Sequence, residues 1–341
     1  MKRTLPILFA LILALSLFAG CGQTAQNNGN TVPGDEDKLS VVSTIFPGYD
    51  FTREVAGENV SLSMLLPPGS ESHSFEPTPQ DVIKIQNCDV FIYVGGESDT
   101  WVDGILDSMD TSGMIILSMM DLVDVVEEET KEGMEDDEHE HDHDHEDEHE
   151  ADHDDEHDEE HELEHTEYDE HVWTSPVNAM RITQAITDTL CALDTENADT
   201  YRANSAAYID KLEQLDASFR EVVQSAARDT LIFGDRFPFR YFVDEYGLDY
   251  YAAFPGCSTE TEASAKTVAF LMDKVSAENI PVVFHIEFSN EKMADTICES
   301  TGAKKLLLHS CHNVTKADFD SGVSYLELMM QNVENLKEVL T

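Results

Sequence analysis

The sequence predicts an α/β fold of two lobes, each with a mainly parallel sheet flanked by helices, joined by one long backbone helix. Short apolar runs of strand length alternate with helical segments in two separate blocks of the chain, which is typical of parallel sheets with helices on their faces. A helical segment longer than any other lies between the two blocks. At 341 residues, the chain is long enough for two domains with their own cores.

The first block gives the N-terminal lobe, predicted over residues 38–194. Its strands are predicted at 39–45, 60–66 and 89–94. One helix is predicted at 49–55, and a second begins after Thr78. Ligands of parallel α/β folds gather at the carboxyl ends of the strands, so the loops that follow these strands are the first place to look for function.

The connecting helix is predicted over residues 195–227, and the C-terminal lobe over 228–341. Apolar residues recur along this helix at steps of mostly three and four, so one face is expected to be buried: Tyr201, Tyr208, Leu212, Leu215, Phe219, Val222 and Ala226. The second lobe has predicted strands at 230–233, 249–253, 281–286 and 305–308. Its helices are predicted at 239–246, 262–278, 291–301 and 322–340.

The first residues form a targeting segment that does not belong to the fold. Residues 1–20 combine a short basic region with an apolar run and end in small residues, as a secretory signal peptide does. The string LFAGC resembles a bacterial lipobox, which makes Cys21 the lipidated first residue of the mature chain. In the alternative, an ordinary secretory signal, Cys21 has no role. Residues 21–37 are rich in Asn, Gly, Thr and Gln and are predicted to be a flexible tether.

His73 lies on a short loop within LLPPGSESHSFEPTPQD, between a Pro-Pro-Gly turn and a helix start. Thr78 is a suitable N-cap, Pro79 suits the first helical turn, and Asp81 has the position and polarity of a capping box. The loop therefore ends at a fixed helix start. A lone histidine on a loop is more often a solvated surface residue than a metal ligand.

The motif DEHVWTSP at residues 169–176 repeats this arrangement. His171 lies just ahead of Ser175, which suits an N-cap, and of Pro176 at the first helical position. Two histidine loops of the same design suggest that His73 and His171 serve one site.

The charge of the chain excludes some partners. It contains 20 basic and 70 acidic residues, for a formal net charge of −50. Nucleic acid or an anionic surface would need a basic face, so neither is an expected partner. The balance favours cations.

Residues 127–167 form an acidic insert in which we predict disorder. Between Glu127 and Glu170 there are 27 acidic residues and a single basic one, Lys131, and nine of the fourteen histidines lie between His139 and His165. Such a segment cannot form a core. It is either a charged spacer or a collector that holds zinc, copper or nickel weakly, because neutral imidazole suits these ions.

Four segments in order carry a resemblance to a known family: PPGSESHSFEPTPQD, YVGGESDTW, DEHVWTSP after the histidine-rich insert, and the closing YLELMMQNVENLKEVL. Together they resemble the zinc- and manganese-binding lipoproteins of bacterial ABC importers, over nearly all of the chain from Leu39. The resemblance implies two α/β lobes joined by a long helix, with the metal in a cleft between them.

The same resemblance implies a set of ligands. His73 and His171 match the family's first two metal ligands. Where the family has His-Asp-Ala-Phe, residues 234–237 read Gly-Asp-Arg-Phe, so the third ligand is missing. Where the family has Leu-Asp-Pro, this chain has His309, and His312 follows. We predict that His309 replaces the aspartate and that His312 makes up for the missing third ligand.

Other residues remain open as ligands. Asp235, His285 or Glu287 could complete the site instead. In a further alternative, either His309 or His312 does not contact the metal and only supports a residue that does. His285 is better explained as a strand residue satisfied by hydrogen bonds, and Asp235 as the ion-pair partner of Arg236.

Imidazole ligands favour Zn²⁺ over Mn²⁺, which needs oxygen ligands for selectivity. A zinc hydrolase would need three protein ligands, an open position for water and a carboxylate base. The nearest string to HExxH is HELEH at residues 161–165, inside the acidic run and without a helical apolar face. The chain is therefore not expected to be an enzyme.

The prediction for function is a lipid-anchored solute-binding protein on the extracytoplasmic face of the cell membrane. As a monomer it would capture Zn²⁺ and deliver it to the permease of an ABC importer, which works with a cytoplasmic ATPase. An extracellular metal buffer or an adhesin-type lipoprotein is the alternative, since it differs only in its partner.

Overall fold

The N-terminal half contains a parallel sheet of four strands. The computed structural model describes residues 38–71, 74–134, 167–258 and 262–341. The sheet has the order β2-β1-β3-β4, with β1 (Leu39–Ser43), β2 (Val60–Met64), β3 (Val90–Tyr93) and β4 (Ile115–Ser118). Strand β4, at one edge of the sheet, was not predicted, although residues 114–117 read Met-Ile-Ile-Leu. In the structure Ile115 is exposed, and Ser118 is the buried residue of this strand, so burial does not follow the apolar residues.

Helices cover this sheet and begin where the local sequence places them. They are α1 (Phe46–Ala56), α2 (Pro79–Gln86) and α3 (Thr100–Leu106). The predicted capping box at α2 is present: the Thr78 hydroxyl accepts from the Asp81 backbone N–H, and the Asp81 carboxylate accepts from the Thr78 backbone N–H. The loop before α2 therefore ends at a fixed position.

Two long helices follow, α4 (Pro176–Leu193) and α5 (Ala198–Gln224). Ser175 caps α4, as predicted, by accepting from the Asn178 backbone N–H. The 27 residues of α5 extend about 40 Å at about 1.5 Å per residue. Its predicted face is buried from Tyr201 to Val222, and it packs against α1 and α4. The helix ends at Gln224 and not at residue 227, so Ala226 lies outside it and is only half-buried.

The C-terminal half repeats the strand order of the first sheet in shorter strands. Its strands are β5 (Thr230–Ile232), β6 (Arg236–Phe237), β7 (Asp249–Tyr251), β8 (Phe254–Pro255), β9 (Val282–His285) and β10 (Lys304–Leu307). The parallel pairs β5-β7 and β9-β10 are joined by a parallel bridge between Phe233 and Phe284, which gives the order β7-β5-β9-β10. The short pair β6-β8 lies beyond them.

The remaining helices are α6 (Arg240–Tyr246), α7 (Ala265–Glu278), α8 (Lys292–Thr301), α9 (Lys316–Ser321) and α10 (Tyr325–Leu340). The closing helix was predicted to begin at Gly322, but it begins at Tyr325. Gly322 has a φ of 78° and ends α9. Ser324 then starts α10 with a second capping box. These observations confirm the predicted fold class.

The largest buried cluster contains side chains from both halves. Among its rings, Phe51 contacts Tyr208 of α5 and Tyr325 of α10, with ring centroids 6.3 and 5.0 Å apart. Each fully buried ring of this kind stabilises the fold by roughly 1.5–3 kcal/mol. The long helix therefore shares one core with the N-terminal sheet and the last helix.

The first residues of the predicted acidic loop, 127–134, are part of the fold. Glu127 forms an antiparallel bridge with Tyr168, Lys131 pairs with Asp249, and Met134 is buried. Lys131, the only basic residue of the acidic run, thus ties the loop's beginning to β7. Residues 1–37, with the predicted signal peptide, lipidated Cys21 and tether, lie outside the described residues, as do residues 135–166 with all nine loop histidines.

Two further observations concern cysteines and membrane helices. The five cysteines within the described ranges, Cys88, Cys191, Cys257, Cys298 and Cys311, are all free thiols. Of the helices in the described part of the chain, none is long and apolar enough to cross a membrane.

Candidate metal centre

His171 lies on the short connection that leads into α4. A single 3₁₀ turn, Val172–Thr174, separates it from the cap at Ser175, so its position relative to α4 is fixed by local sequence. The side chain is fully buried. The Asp169 carboxylate accepts hydrogen bonds from the His171 backbone N–H at 2.8 Å and from its Nδ1 at 3.2 Å. Since a carboxylate only accepts, Nδ1 carries the proton and Nε2 keeps a lone pair for coordination.

The environment of His171 raises the pKa of its imidazole. Burial alone would lower this pKa, but the carboxylates of Asp169, Glu170 and Glu128 stabilise the protonated ring and outweigh it. The same three carboxylates would also attract a divalent cation. His171 is therefore a buried imidazole surrounded by carboxylates.

Glu170 connects the His171 loop to the glycine turn after β3. Its Oε1 accepts from the Ser98 backbone N–H at 2.7 Å, and a Cβ on Gly96 would lie 2.6 Å from the Glu170 side chain. Gly96 also has a φ of 79°, which glycine adopts without strain. The Asp99 carboxylate accepts from the backbone N–H groups of Val94 and Gly95, and burial raises its pKa to about 6. The YVGGESD motif thus supports the loop that carries His171.

His312 comes from the other half of the molecule, on the loop after β10. Its ring lies 5.5 Å from that of His171, at 87° between the ring planes, and 4.9 Å from that of Trp173. Trp173 holds this loop in place, because its Nε1–H donates to the Ser310 carbonyl at 2.8 Å. The Tyr325 hydroxyl in turn donates to the Trp173 carbonyl at 2.7 Å. The structure therefore brings His171 and His312 together.

Glu287, after β9, shapes the loop that carries His312. Its carboxylate accepts from the Ser310 backbone N–H at 2.7 Å, from the Ser310 hydroxyl at 2.6 Å and from the His312 backbone N–H at 3.2 Å. Between these residues, Cys311 has a φ of 61°, a strained conformation for a residue with a side chain. The contacts to Glu287 and Trp173 hold the loop in this conformation.

His309 lies on the same loop, and its Nδ1 is 3.5 Å from the Glu287 carboxylate. Its backbone N–H donates to Asn332 Oδ1 at 2.8 Å, and its Nδ1 accepts from the Cys311 backbone N–H at 2.9 Å. An Nδ1 that accepts leaves the proton of the neutral ring on Nε2. His309 is not among the residues that line the cavity between His171 and His312.

The cavity at the junction of the two halves is small. Its volume is about 20 Å³, room for one water-sized occupant. The residues lining it are Ser70, Glu71, His171, Arg236, Pro238, Gly256, Ile286, Glu287, Phe288, Ser310, His312 and Asn313. It lies beyond the carboxyl ends of β5 and β9, where the strand order of the second sheet reverses, the usual place for a ligand in such sheets.

Gly234, the position at which the family resemblance predicted a third ligand, is closely covered by α8. A Cβ on Gly234 would lie 2.7 Å from the Ala294 Cα and 2.8 Å from its backbone nitrogen, inside the backbone of α8. No side chain fits at position 234 in this packing. The sequence identifies the missing histidine, but it gives no sign that the position is closed.

The alternative ligands occupy well-defined positions. Asp235 accepts from the backbone N–H groups of Arg236 and Ile286, at 2.9 and 3.1 Å. Its predicted ion pair with Arg236 is wrong: the Arg236 guanidinium pairs with Glu71 across the cavity. His285 is hydrogen-bonded as predicted, through Nδ1 to the Ile286 carbonyl at 3.0 Å.

His73, the first predicted ligand, lies outside the described residues, as do Ser72 and the segment 259–261. Within 38–71, 74–134, 167–258 and 262–341, no group of three His, Cys, Asp or Glu side chains is placed to hold a metal ion. Trp173, Glu71 and Arg236 are the site residues that the sequence analysis missed. A signal for Trp173 was available, since it lies in the DEHVWTSP motif two residues after His171.

Two parallel sheets with matching strand order, a shared long helix and histidines from both halves at one small cavity define a two-lobed solute-binding protein. The chain belongs to the family described as "Zinc-uptake complex component A periplasmic", whose model matches residues 41–339.

Curated relatives agree with this assignment. The chain is 33% identical over 333 residues to the high-affinity zinc uptake system protein ZnuA of Bacillus subtilis, covering 98% of this chain and 97% of the relative. It is 31% identical over 337 residues to the zinc-binding lipoprotein AdcA of Streptococcus pneumoniae (strain ATCC BAA-255 / R6), covering 98% of this chain but only 61% of AdcA.

Solved structures show the same fold. The Zn(II)-bound ZnuA-like domain of Streptococcus pneumoniae AdcA aligns with a TM-score of 0.69 at 28% identity, over 89% of this chain and 99% of that domain. The metal-dependent lipoprotein YcdH of Bacillus subtilis aligns with a TM-score of 0.71 at 29% identity, over 89% of this chain and 100% of YcdH.

Proposed function

We propose that this chain is the extracytoplasmic component of a zinc importer and that it binds Zn²⁺ at the junction of its two lobes. One observation carries the proposal: His171, backed by the Asp169 carboxylate, and His312 from the other lobe lie 5.5 Å apart at one cavity. A carboxylate behind a histidine is the usual support of a zinc ligand. Zinc uptake is also the function named for the family.

In the proposed site, His73, His171 and His312 bind the ion. Either Glu287 or His309 supplies the fourth donor. The geometry favours Glu287, because it lines the same cavity, whereas His309 uses Nδ1 to accept from Cys311. A set of three imidazoles and one carboxylate suits Zn²⁺ better than Mn²⁺, which prefers oxygen ligands.

The proposed cycle begins with a mature chain anchored through lipidated Cys21 on the outer face of the cell membrane. The nine histidines of the acidic segment bind zinc weakly and raise its local concentration. The loaded protein then docks on the permease of an ABC importer, whose cytoplasmic ATPase drives transport. In this role the chain acts as a monomer, and as a carrier and not an enzyme.

A zinc competition titration tests the site. The mature chain is used with its nine loop histidines replaced by asparagine, which keeps the length and acidity of the segment. We expect one tightly bound zinc per chain and a loss of affinity of about 100-fold or more in His171→Ala and in His312→Ala, because each removes a direct ligand. His285→Ala is the matched control, since this histidine is hydrogen-bonded outside the cavity.

The same titration identifies the fourth donor. Glu287→Gln should weaken zinc binding strongly while His309→Ala has a small effect; the reverse result would assign His309. Unchanged affinity in both His171→Ala and His312→Ala would refute the proposed site. Weaker competition by Mn²⁺ than by Zn²⁺ is expected throughout.

A further inference from the structure

Arg236 is an unexpected residue in a cation-binding cavity. Its side chain is only 9% exposed and lines the cavity together with His171 and His312. A guanidinium stays charged at all physiological pH values, so by itself it would repel a divalent ion nearby. A cavity that takes Zn²⁺ therefore has to compensate this charge.

Glu71 provides this compensation from the other half of the molecule. Its two carboxylate oxygens accept from the two terminal nitrogens of Arg236, at 3.2 and 3.0 Å, in a bidentate ion pair. Arg236 also donates to the Ser258 carbonyl at 3.4 Å, which fixes the guanidinium against the C-terminal lobe. Bidentate pairs of this kind are stronger and more directional than single contacts.

The pair belongs to a larger contact between the lobes. The turn at residues 67–70, just before Glu71, is held by the loop after β10. Asn313 Nδ2 donates to the carbonyls of Pro67 and Ser70, at 2.8 and 2.9 Å, and the Gly69 backbone N–H donates to the Val314 carbonyl at 2.8 Å. Ser70 and Asn313 line the cavity together with Glu71 and Arg236, and the bidentate pair of Glu71 with Arg236 is the charged contact among them.

The same pair also faces a second cavity of about 130 Å³, lined by Gly234, Asp235, Phe254 and Met293 among others. Glu71, Arg236 and Phe288 line both cavities, so they form the wall between them. Gly234 lines this second cavity and does not line the cavity with the histidines. The wall thus lies between the histidines and Gly234, the position at which the family resemblance predicted a third ligand.

We propose that Arg236 is a positioning residue of the zinc site: paired with Glu71, it ties the two lobes together beside the bound ion and slows the ion's release. This inference rests on the proposed zinc-binding function. It predicts that the two charges act as a unit. Removing Glu71 alone leaves an uncompensated guanidinium beside the ion, whereas removing both charges leaves a neutral wall.

The test measures zinc affinity by competition and zinc release to a chelator by stopped flow. The mature chain with its nine loop histidines replaced by asparagine serves as the reference. Glu71→Gln should speed release and weaken binding by about tenfold or more, because loss of one partner from a hydrogen-bonded charge pair acts mainly on the dissociation rate. Arg236→Gln should have a smaller effect. The double variant should bind zinc more tightly than Glu71→Gln alone.

Glu76→Gln is the matched control, since it removes the same charge from an exposed carboxylate of the same loop. Thermal unfolding of the zinc-free variants separates effects on the site from effects on folding. A Glu71→Gln variant that behaves like Glu76→Gln, or a double variant with strictly additive losses, would overturn the inference. His171→Ala in the same assay keeps the two proposals apart: if it loses zinc while Glu71→Gln does not, the site stands and only the role of Arg236 fails.

Discussion

The two sheets of the molecule share one strand order but differ in how they are built. The N-terminal sheet pairs as β2-β1-β3-β4 through continuous parallel ladders, five residue pairs long between β1 and β2. The C-terminal sheet has the corresponding order β7-β5-β9-β10, but its two halves meet through a single bridge. The same topology therefore places loops at the site from both lobes, while the C-terminal loops depend more on contacts outside the sheet.

The two histidine loops show this difference directly. His171 is positioned by neighbours in sequence: Asp169 two residues before it and the cap at Ser175 four residues after it. His312 is positioned by residues far away in sequence, above all Glu287 and Trp173. One cavity can therefore combine a histidine fixed by local sequence with a histidine fixed by tertiary structure. The predictions that follow test this contrast.

The largest effect is expected at Gly234, just after β5 in the C-terminal sheet. Gly234→His introduces the histidine that the family resemblance predicts at this position, but its Cβ would penetrate the backbone of α8 at Ala294. We expect the free energy of unfolding to fall by about 3 kcal/mol and zinc affinity not to increase. Chemical denaturation and zinc titration measure the two quantities.

Gly113→His is the control for this substitution, because nothing lies within 4 Å of a Cβ at that glycine and its φ is not positive. It should leave the free energy of unfolding nearly unchanged. A stable Gly234→His variant with tighter zinc binding would show that α8 can move. Position 234 would then lack a histidine in this sequence without being closed to one by the fold.

An intermediate effect is expected at His171, the histidine that is fixed by local sequence. Asp169→Asn removes the carboxylate that orients His171 and should weaken zinc binding by about 10- to 100-fold. It should also change the pH dependence. Asp169 raises the pKa of His171, and protons compete with zinc for this ring, so wild-type affinity should already begin to fall above the usual histidine range. In the variant the pKa is lower, and the fall should begin at a lower pH.

Titrations between pH 5 and 8 would measure this shift, and Asp124→Asn serves as the control because that carboxylate is exposed and pairs only with Arg181. An affinity that falls at the same pH in Asp169→Asn and wild type would show that Asp169 does not govern the protonation of His171.

The smallest effect is expected at the helix cap behind His171. Ser175→Ala removes the acceptor for the Asn178 backbone N–H and should lower the free energy of unfolding by about 1 kcal/mol. Thr315→Ala, at the exposed cap of α9 in the other lobe, provides the comparison. Thermal unfolding should show a larger loss for Ser175→Ala, since Ser175 is buried. Equal losses of unfolding free energy in the two variants would mean that burial of Ser175 adds nothing to the ordinary stabilisation of a helix by its cap.

The sequence contained enough information for the elements with strong local signals. The capping box at Thr78, the cap at Ser175 and the buried face of α5 were all predictable, because each depends on residues within a few positions of one another. The edge strand β4 was missed although it reads Ile-Ile-Leu-Ser, and its buried residue is Ser118 instead of one of the three apolar residues.

The site was predictable only in part, for the same reason. His171 and His312 could be proposed from motif and position, but the pairing of Arg236 with Glu71 joins residues 165 positions apart. The closure of position 234 by Ala294 and the role of Glu287 at Ser310 likewise arise from tertiary packing. No local pattern in one sequence records such contacts.

The position of Trp173 has a practical consequence. The chain contains two tryptophans, and this one lies with its ring centroid 5.5 Å from that of His171 and 4.9 Å from that of His312. An ion that binds both imidazoles changes the surroundings of this indole, so its fluorescence can report loading without any attached dye. Trp101→Phe would leave Trp173 as the sole emitter, which makes the protein its own optical sensor of zinc capture and release.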